Sequence, residues 1–166
     1  MRIWSLCLLL SNQLVATAKL RIESPTRITE ADLRRAHSDL YYALFHRICQ
    51  EVASSVPLRS DFSASRDVYV ALYRSIEHGT IEKQCRDKII DRFGPALTKF
   101  AQQFVTFKDM RERADYDPLE KFEISALRTA IAIAESVLSQ FDGCDETERR
   151  SFAFYLAFRL SPRPTP

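Results

Sequence analysis

The sequence predicts an all-α fold, an up-and-down four-helix bundle with two or three additional short helices. Three observations lead there. Apolar residues recur every three or four positions through four long stretches, the spacing of one buried helix face. Chain breakers stand between the stretches, at Ser24-Pro25-Thr26, Pro57, Gly94-Pro95, Asp117-Pro118 and Gly143. The chain of 166 residues has only three glycines, Gly79, Gly94 and Gly143, which disfavours sandwiches and barrels built on many glycine turns. At this length the chain reads as one domain over residues 1–166, with a core large enough to fold without metal or disulfide.

The elements follow in order. The first helix is predicted to bury Leu6, Leu10, Leu14 and Ala18, with Val15 one place off. Thr29 before Glu30-Ala31-Asp32 resembles a capping box. The helix it opens runs from about Glu30 to Ser54, with Leu33, Ala36, Leu40, Ala43, Leu44, Ile48 and Val52 on one face. Ser55 to Ser65 is a loop. A shorter helix from Arg66 to His78 is expected to stop at Gly79, and Thr80 to cap another reaching Phe93. Pro95 suits the first turn of the next helix, which runs to about Asp115 with Leu97, Phe100, Phe104 and Phe107 on one stripe. Asp117-Pro118 ends it, because a residue before proline avoids the α region. From about Glu123 to Phe141, the residues Ile124, Leu127, Ile131, Ala134, Leu138 and Phe141 form a seam. A last helix from about Glu146 to Leu160 buries Phe152, Tyr155 and Leu156. The Pro-rich tail 161–166 cannot remain helical and reads as a linker end or a disordered stub.

Composition excludes several function classes. The glycines are too few and too scattered for a Walker loop or a dinucleotide fingerprint. A formal charge of +2 provides no electrostatic case for strong non-specific nucleic-acid binding. Cys7, Cys49, Cys85 and Cys144 lack Cys-x-x-Cys spacing and are not flanked by His37, His46 or His78, so neither zinc nor another cofactor is expected. The start of the chain imitates a signal peptide: Met1-Arg2, apolar residues from Ile3 to Leu10, then Ala16-Thr17-Ala18. Cleavage there would remove Cys7 and leave an odd number of cysteines. The expectation is a bundle helix in a cytoplasmic protein, with export as the alternative. No stretch approaches the ~20 apolar residues that span a bilayer, so no membrane role is expected.

Polar groups interrupt the helical pattern in two places. Arg35, Ser38, Tyr42 and His46 form a polar and aromatic stripe on the second long helix. Arg74 and His78 repeat the spacing on the shorter helix, with Glu77 near Arg74. The plain reading of these groups is packing histidines and surface ion pairs. The second interruption is Arg111, four residues after Phe107, where the apolar stripe would continue; Arg113 points to solvent. A guanidinium on a buried face needs a partner, a cavity or an interface. Asp115 at i+4 is the nearest partner, so the pair reads either as a structural staple or as an anion-binding arginine held by its carboxylate.

These residues resemble a known family. The run from Leu33 to His46, with Ser38, Tyr41-Tyr42-Ala43-Leu44-Phe45-His46, is similar to a helix of the HEPN superfamily. Tyr73-Arg74-Ser75-Ile76-Glu77-His78 and Arg111-Glu112-Arg113-Ala114-Asp115-Tyr116-Asp117 resemble two further segments of bacterial members. The resemblance covers about Leu10 to Leu160. It implies a four-helix bundle that dimerises with a second copy. It also implies metal-independent ribonuclease activity or binding of RNA or nucleotide, in toxin–antitoxin or anti-phage systems beside a nucleotidyltransferase-like partner protein. Catalytic members carry R-x(4–6)-H, the arginine holding phosphate and the histidine assisting attack by the 2′-hydroxyl. Here no histidine follows Arg111 or Arg113, the last in the chain being His78. Ala114 or Asp115 stands where the family has it. Arg111 therefore carries over as a phosphate contact, with Asp115 and Tyr116 as matched positions.

Three readings follow. In the first, a non-catalytic HEPN-like module binds RNA, a nucleotide or a protein through Arg111, Asp115 and Tyr116, with Tyr42, Ser38 and Arg74 alongside. In the second, a metal-independent endoribonuclease recruits His46 or His78 through space to Arg111. The third is a helical protein with no ligand.

Overall fold

A computed structural model describes residues 3–23, 27–56 and 63–158. Its elements are α1 (Ile3–Glu23), α2 (Glu30–Ser54), α3 (Ser65–Arg74), α4 (His78–Cys85), a 3-10 segment (Lys88–Arg92), α5 (Pro95–Tyr116), α6 (Ile124–Asp142) and α7 (Glu146–Ala157). The fold is all-α, as expected. Helices α1, α2, α5 and α6 make a closed ring of neighbours: α1 packs on α2, α2 on α5, α5 on α6 and α6 on α1. Helix α2 also touches α3, α6 and α7, while α4 bridges α5 and α7. Among the described residues no helix is long and apolar enough to cross a membrane.

Local chemistry explains the best-defined ends. Thr29 caps α2: its hydroxyl accepts from Asp32 N–H, and the Asp32 carboxylate accepts from Thr29 N–H at 2.9 Å. Pro95 occupies the first turn of α5, as its fixed φ favours. The α2 face anticipated from periodicity is buried in full, as are Leu97, Phe100, Phe104 and Phe107 of α5. Together with Phe141 and Phe152 they fill one continuous apolar core.

The structure corrects the sequence reading in three places. Arg74 and His78 do not share a helix. Helix α3 ends at Arg74; buried Ile76 draws the connection into the core, and extended Glu77 caps α4. Gly79 therefore lies inside the first turn of α4 and does not end a helix. Thr80 is not the cap but a buried residue of α4, and the segment to Phe93 divides into α4 and the 3-10 turn, opened by Asp87 accepting from Ile89 N–H. On α1, Leu10 is 36% exposed, and the buried row is Ser11, Val15, Ala18 and Ile22 with Leu14 at its edge. Ser11 fits there because its hydroxyl donates to the carbonyl of Ala43. The readings that involve the side chains of Leu6 and Cys7, the Ser24–Thr26 break, Pro57, Leu160 and the tail 161–166 lie outside the described residues.

Candidate functional site

The apolar stripe of α5 determines where Arg111 goes. With Phe104 and Phe107 buried against α2, the next position on the stripe faces the outer half of α2. The Arg111 side chain is 21% exposed there, and its Nε lies 2.8 Å from Asp115 Oδ2. That contact is an ion pair out of line for a hydrogen bond. The other carboxylate oxygen of Asp115, Oδ1, accepts from the Ser38 hydroxyl at 2.8 Å. Buried Ser38 therefore fixes Asp115, and Asp115 fixes Arg111.

Two aromatic rings flank the guanidinium. Arg111 Cζ lies 5.9 Å from the Tyr42 ring centre and 5.3 Å from that of Tyr116, and its Nη2 donates to the Tyr42 hydroxyl at 3.4 Å. Tyr116 is 72% exposed, an uncommon amount for a tyrosine. Beside it an open cleft of about 540 Å³ is lined by Glu30, Arg34, Ala114, Asp115, Tyr116, Pro118 and Lys121.

Tyr42 links this group to both histidines. Its ring stacks on His46 at 6.0 Å and meets His78 edge-on at 6.0 Å. Each histidine receives a second tyrosine at Nδ1: Tyr73 on His46 at 2.7 Å and Tyr41 on His78 at 2.5 Å. Burial, and then the neighbouring His78, lowers the His46 pKa. Burial, and then the positive charges of Arg111 and Lys108, lowers that of His78. The neutral imidazole therefore prevails at neutral pH on both rings.

The structure thus gathers Arg111, Asp115, Tyr116, Tyr42, Ser38, His46 and His78 into one region. It leaves Arg74 out: that residue is exposed at the end of α3 and forms no ion pair with Glu77, whose carboxylate accepts from Thr80. Arg113 is exposed, as expected, and pairs with Glu120. Sequence reasoning missed the tethering of His78 by Tyr41 and of His46 by Tyr73. The adjacent Tyr41-Tyr42 pair was the available signal, since neighbours on a helix point about 100° apart and two such rings serve different faces. Among the described residues no group of three His, Cys, Asp or Glu side chains could hold a metal ion. No known protein family, curated protein or solved structure matches the chain.

Proposed function

We propose that this chain is a HEPN-like module that binds the phosphodiester backbone and an unpaired base of single-stranded RNA, without cleaving it. The observation that carries the reading is the Arg111 guanidinium, held by Asp115 and Ser38, under the exposed ring of Tyr116. A fixed guanidinium matches phosphate geometry, and an exposed ring over it provides a surface on which a base stacks. The adjoining open cleft brings Lys121 beside Tyr116, so a free nucleotide is a second ligand of the same chemistry. The reading extends to a homodimer and a nucleotidyltransferase-like partner, as the family resemblance implies. Titration of a labelled single-stranded RNA tests it. Arg111→Ala and Tyr116→Ala should each weaken binding tenfold or more, as stacking and charge-assisted contacts are each worth about 1–3 kcal/mol. Unchanged affinity in both variants sinks the reading.

The joint position of His46, His78 and Arg111 around Tyr42 favours a second reading, a metal-independent endoribonuclease. In that reaction the ribose 2′-oxygen attacks phosphorus and the bond to the 5′-oxygen breaks. One histidine, neutral, takes the 2′-hydroxyl proton, and the other, in its protonated imidazolium form, supplies one to the leaving oxygen, giving a 2′,3′-cyclic phosphate and a 5′-hydroxyl; since burial lowers both pKa values, this step is favoured below neutral pH. Arg111 would stabilise the charge on the phosphorane, so Arg111→Ala should reduce cleavage in EDTA on the order of a hundredfold. His46→Ala and His78→Ala should do the same. Equal cleavage by all three variants and the parent marks a contaminating nuclease.

A further inference from the structure

Tyr41 and Tyr42 leave α2 on different sides. Tyr42 lies against Arg111, whereas Tyr41 is 2% exposed, packed on Phe45 and Phe104 in the core. The Tyr41 hydroxyl still has one hydrogen-bond partner among the described residues, Nδ1 of His78 at 2.5 Å. A buried phenol has a proton that needs an acceptor. Burial, and then the neighbouring Tyr42 phenol, holds Tyr41 above its ordinary pKa, so that proton stays on. Were Nδ1 itself protonated, it would donate to the phenol oxygen, and the buried phenol's own proton would be left without an acceptor. The His78 ring is also stacked on Phe45, with centres 3.7 Å apart and planes inclined by 15°. Its residue, the first of α4, remains exposed on the outer side. The charged groups around it are Arg111 and Lys108 of α5, the latter ion-paired to Glu82 of α4 at 2.9 Å.

We propose that Tyr41 is a positioning residue: its hydroxyl donates to Nδ1 and locks His78 in the tautomer with the proton on Nε2. The outer edge of the ring then offers an N–H donor to a phosphodiester oxygen next to Arg111. This rests on the RNA-binding reading above for its ligand, but not for the tautomer. The hydroxyl acts on the ligand only through His78, because Tyr41 itself is enclosed by the core.

Long-range nitrogen–proton correlation spectra of the full chain test the assignment, with the His78 signals identified by their loss in His78→Gln. At pH 8 the wild type should show an unprotonated Nδ1 and a protonated Nε2. Tyr41→Phe keeps the ring in the core and should give mixed tautomers, with the His78 titration moved upward because a bond favouring the neutral ring is gone. A single-stranded RNA oligomer should bind this variant roughly threefold to tenfold more weakly, the size of one neutral hydrogen bond. A wild-type His78 protonated at Nδ1 overturns the proposal, and so does a Tyr41→Phe spectrum identical to the wild type. If Tyr41→Phe does not fold, the wild-type tautomer alone decides. RNA that binds neither protein, with the tautomer as stated, overturns the phosphate reading and leaves the positioning role of Tyr41 standing.

Discussion

His37 shows how one side chain departs from its ordinary chemistry. It is 3% exposed, neither ring nitrogen has a hydrogen-bond partner among the described residues, and its ring lies 4.6 Å from that of Phe122. Burial first, and the charge of Arg113 second, pushes its pKa down to about 4. The unfolded chain binds a proton near pH 6.5, so acid favours unfolding. The contribution of neutral His37 is fully present above pH 6.5 and is lost as pH falls towards about 4. The total linked loss is on the order of 3 kcal/mol. His37→Phe should therefore unfold at higher urea than the parent at pH 4.5, with a smaller gap at pH 7. A gap independent of pH would show that His37 does not titrate through burial. The histidines of the candidate site move in the same direction, because burial lowers both. Their protonation adds positive charge beside Arg111, so under the proposed RNA-binding function affinity for RNA should rise as pH is lowered from 8 towards 5.5, and His46→Ala combined with His78→Ala should flatten that rise.

At the scale of elements, the connection from α5 to α6 depends on one residue of α2. Arg34 Nη1 donates to the carbonyls of Ala114 and Asp117 at 2.8 and 2.9 Å, and Nη2 to that of Glu120 at 2.6 Å. Its guanidinium also lies 5.5 Å from the Phe122 ring centre and its Nε 3.3 Å from Glu30. The connection carries the end of α5, and with it Asp115 and Tyr116. Arg34→Ala should cost roughly 2–4 kcal/mol, because several carbonyls lose a charged donor together. Amide exchange should quicken across residues 117–123. Arg34→Lys should recover little, since an ammonium cannot reproduce the planar fork. Protection unchanged in Arg34→Ala would refute the role. Nothing in the sequence marks Arg34 in this way: its acceptors are main-chain carbonyls, which leave no trace in side-chain identity. The Arg111–Asp115 pair was legible because both partners sit on one helix at i+4. The gathering of His78 with Tyr42 was not, since it depends on where α4, packed on α5, sets its first residue against α2, and the local pattern puts His78 at the end of the preceding short helix.

Across the whole molecule, legibility followed burial. Helices α2, α5 and α6 each bury a long stripe, so their periodicity carries enough signal to predict core residues one by one. Helices α3 and α4 are short, and one buried residue between them, Ile76, outweighs the local preference that would have joined them. The core also holds charges that a hydrophobic pattern cannot reveal. Arg47 and Glu51 of α2 are both buried and paired at 2.9 Å. Arg47 reaches Asp142 at the end of α6 at 2.8 Å and lies 4.8 Å from the Phe141 ring centre, while Glu51 takes Arg149 of α7 at 3.0 Å. The network therefore joins three helices through two arginines and two carboxylates. Removing one member leaves its partner charged in a low-dielectric interior, which costs about 3–5 kcal/mol, whereas replacing the whole group with apolar residues of like volume costs little. Glu51→Ala should lower stability by about that amount, because Arg47 keeps only Asp142 and Arg149 loses its carboxylate. Pairing Glu51→Leu with Arg47→Met should recover part of the loss, since neither buried charge then remains on α2 while Arg149 still lacks its carboxylate. Urea denaturation of Glu51→Leu, Arg47→Met and the double variant separates the cases. If the double variant is as unstable as the sum of the singles, the network is not coupled, and α7 is held to α2 by its apolar face alone.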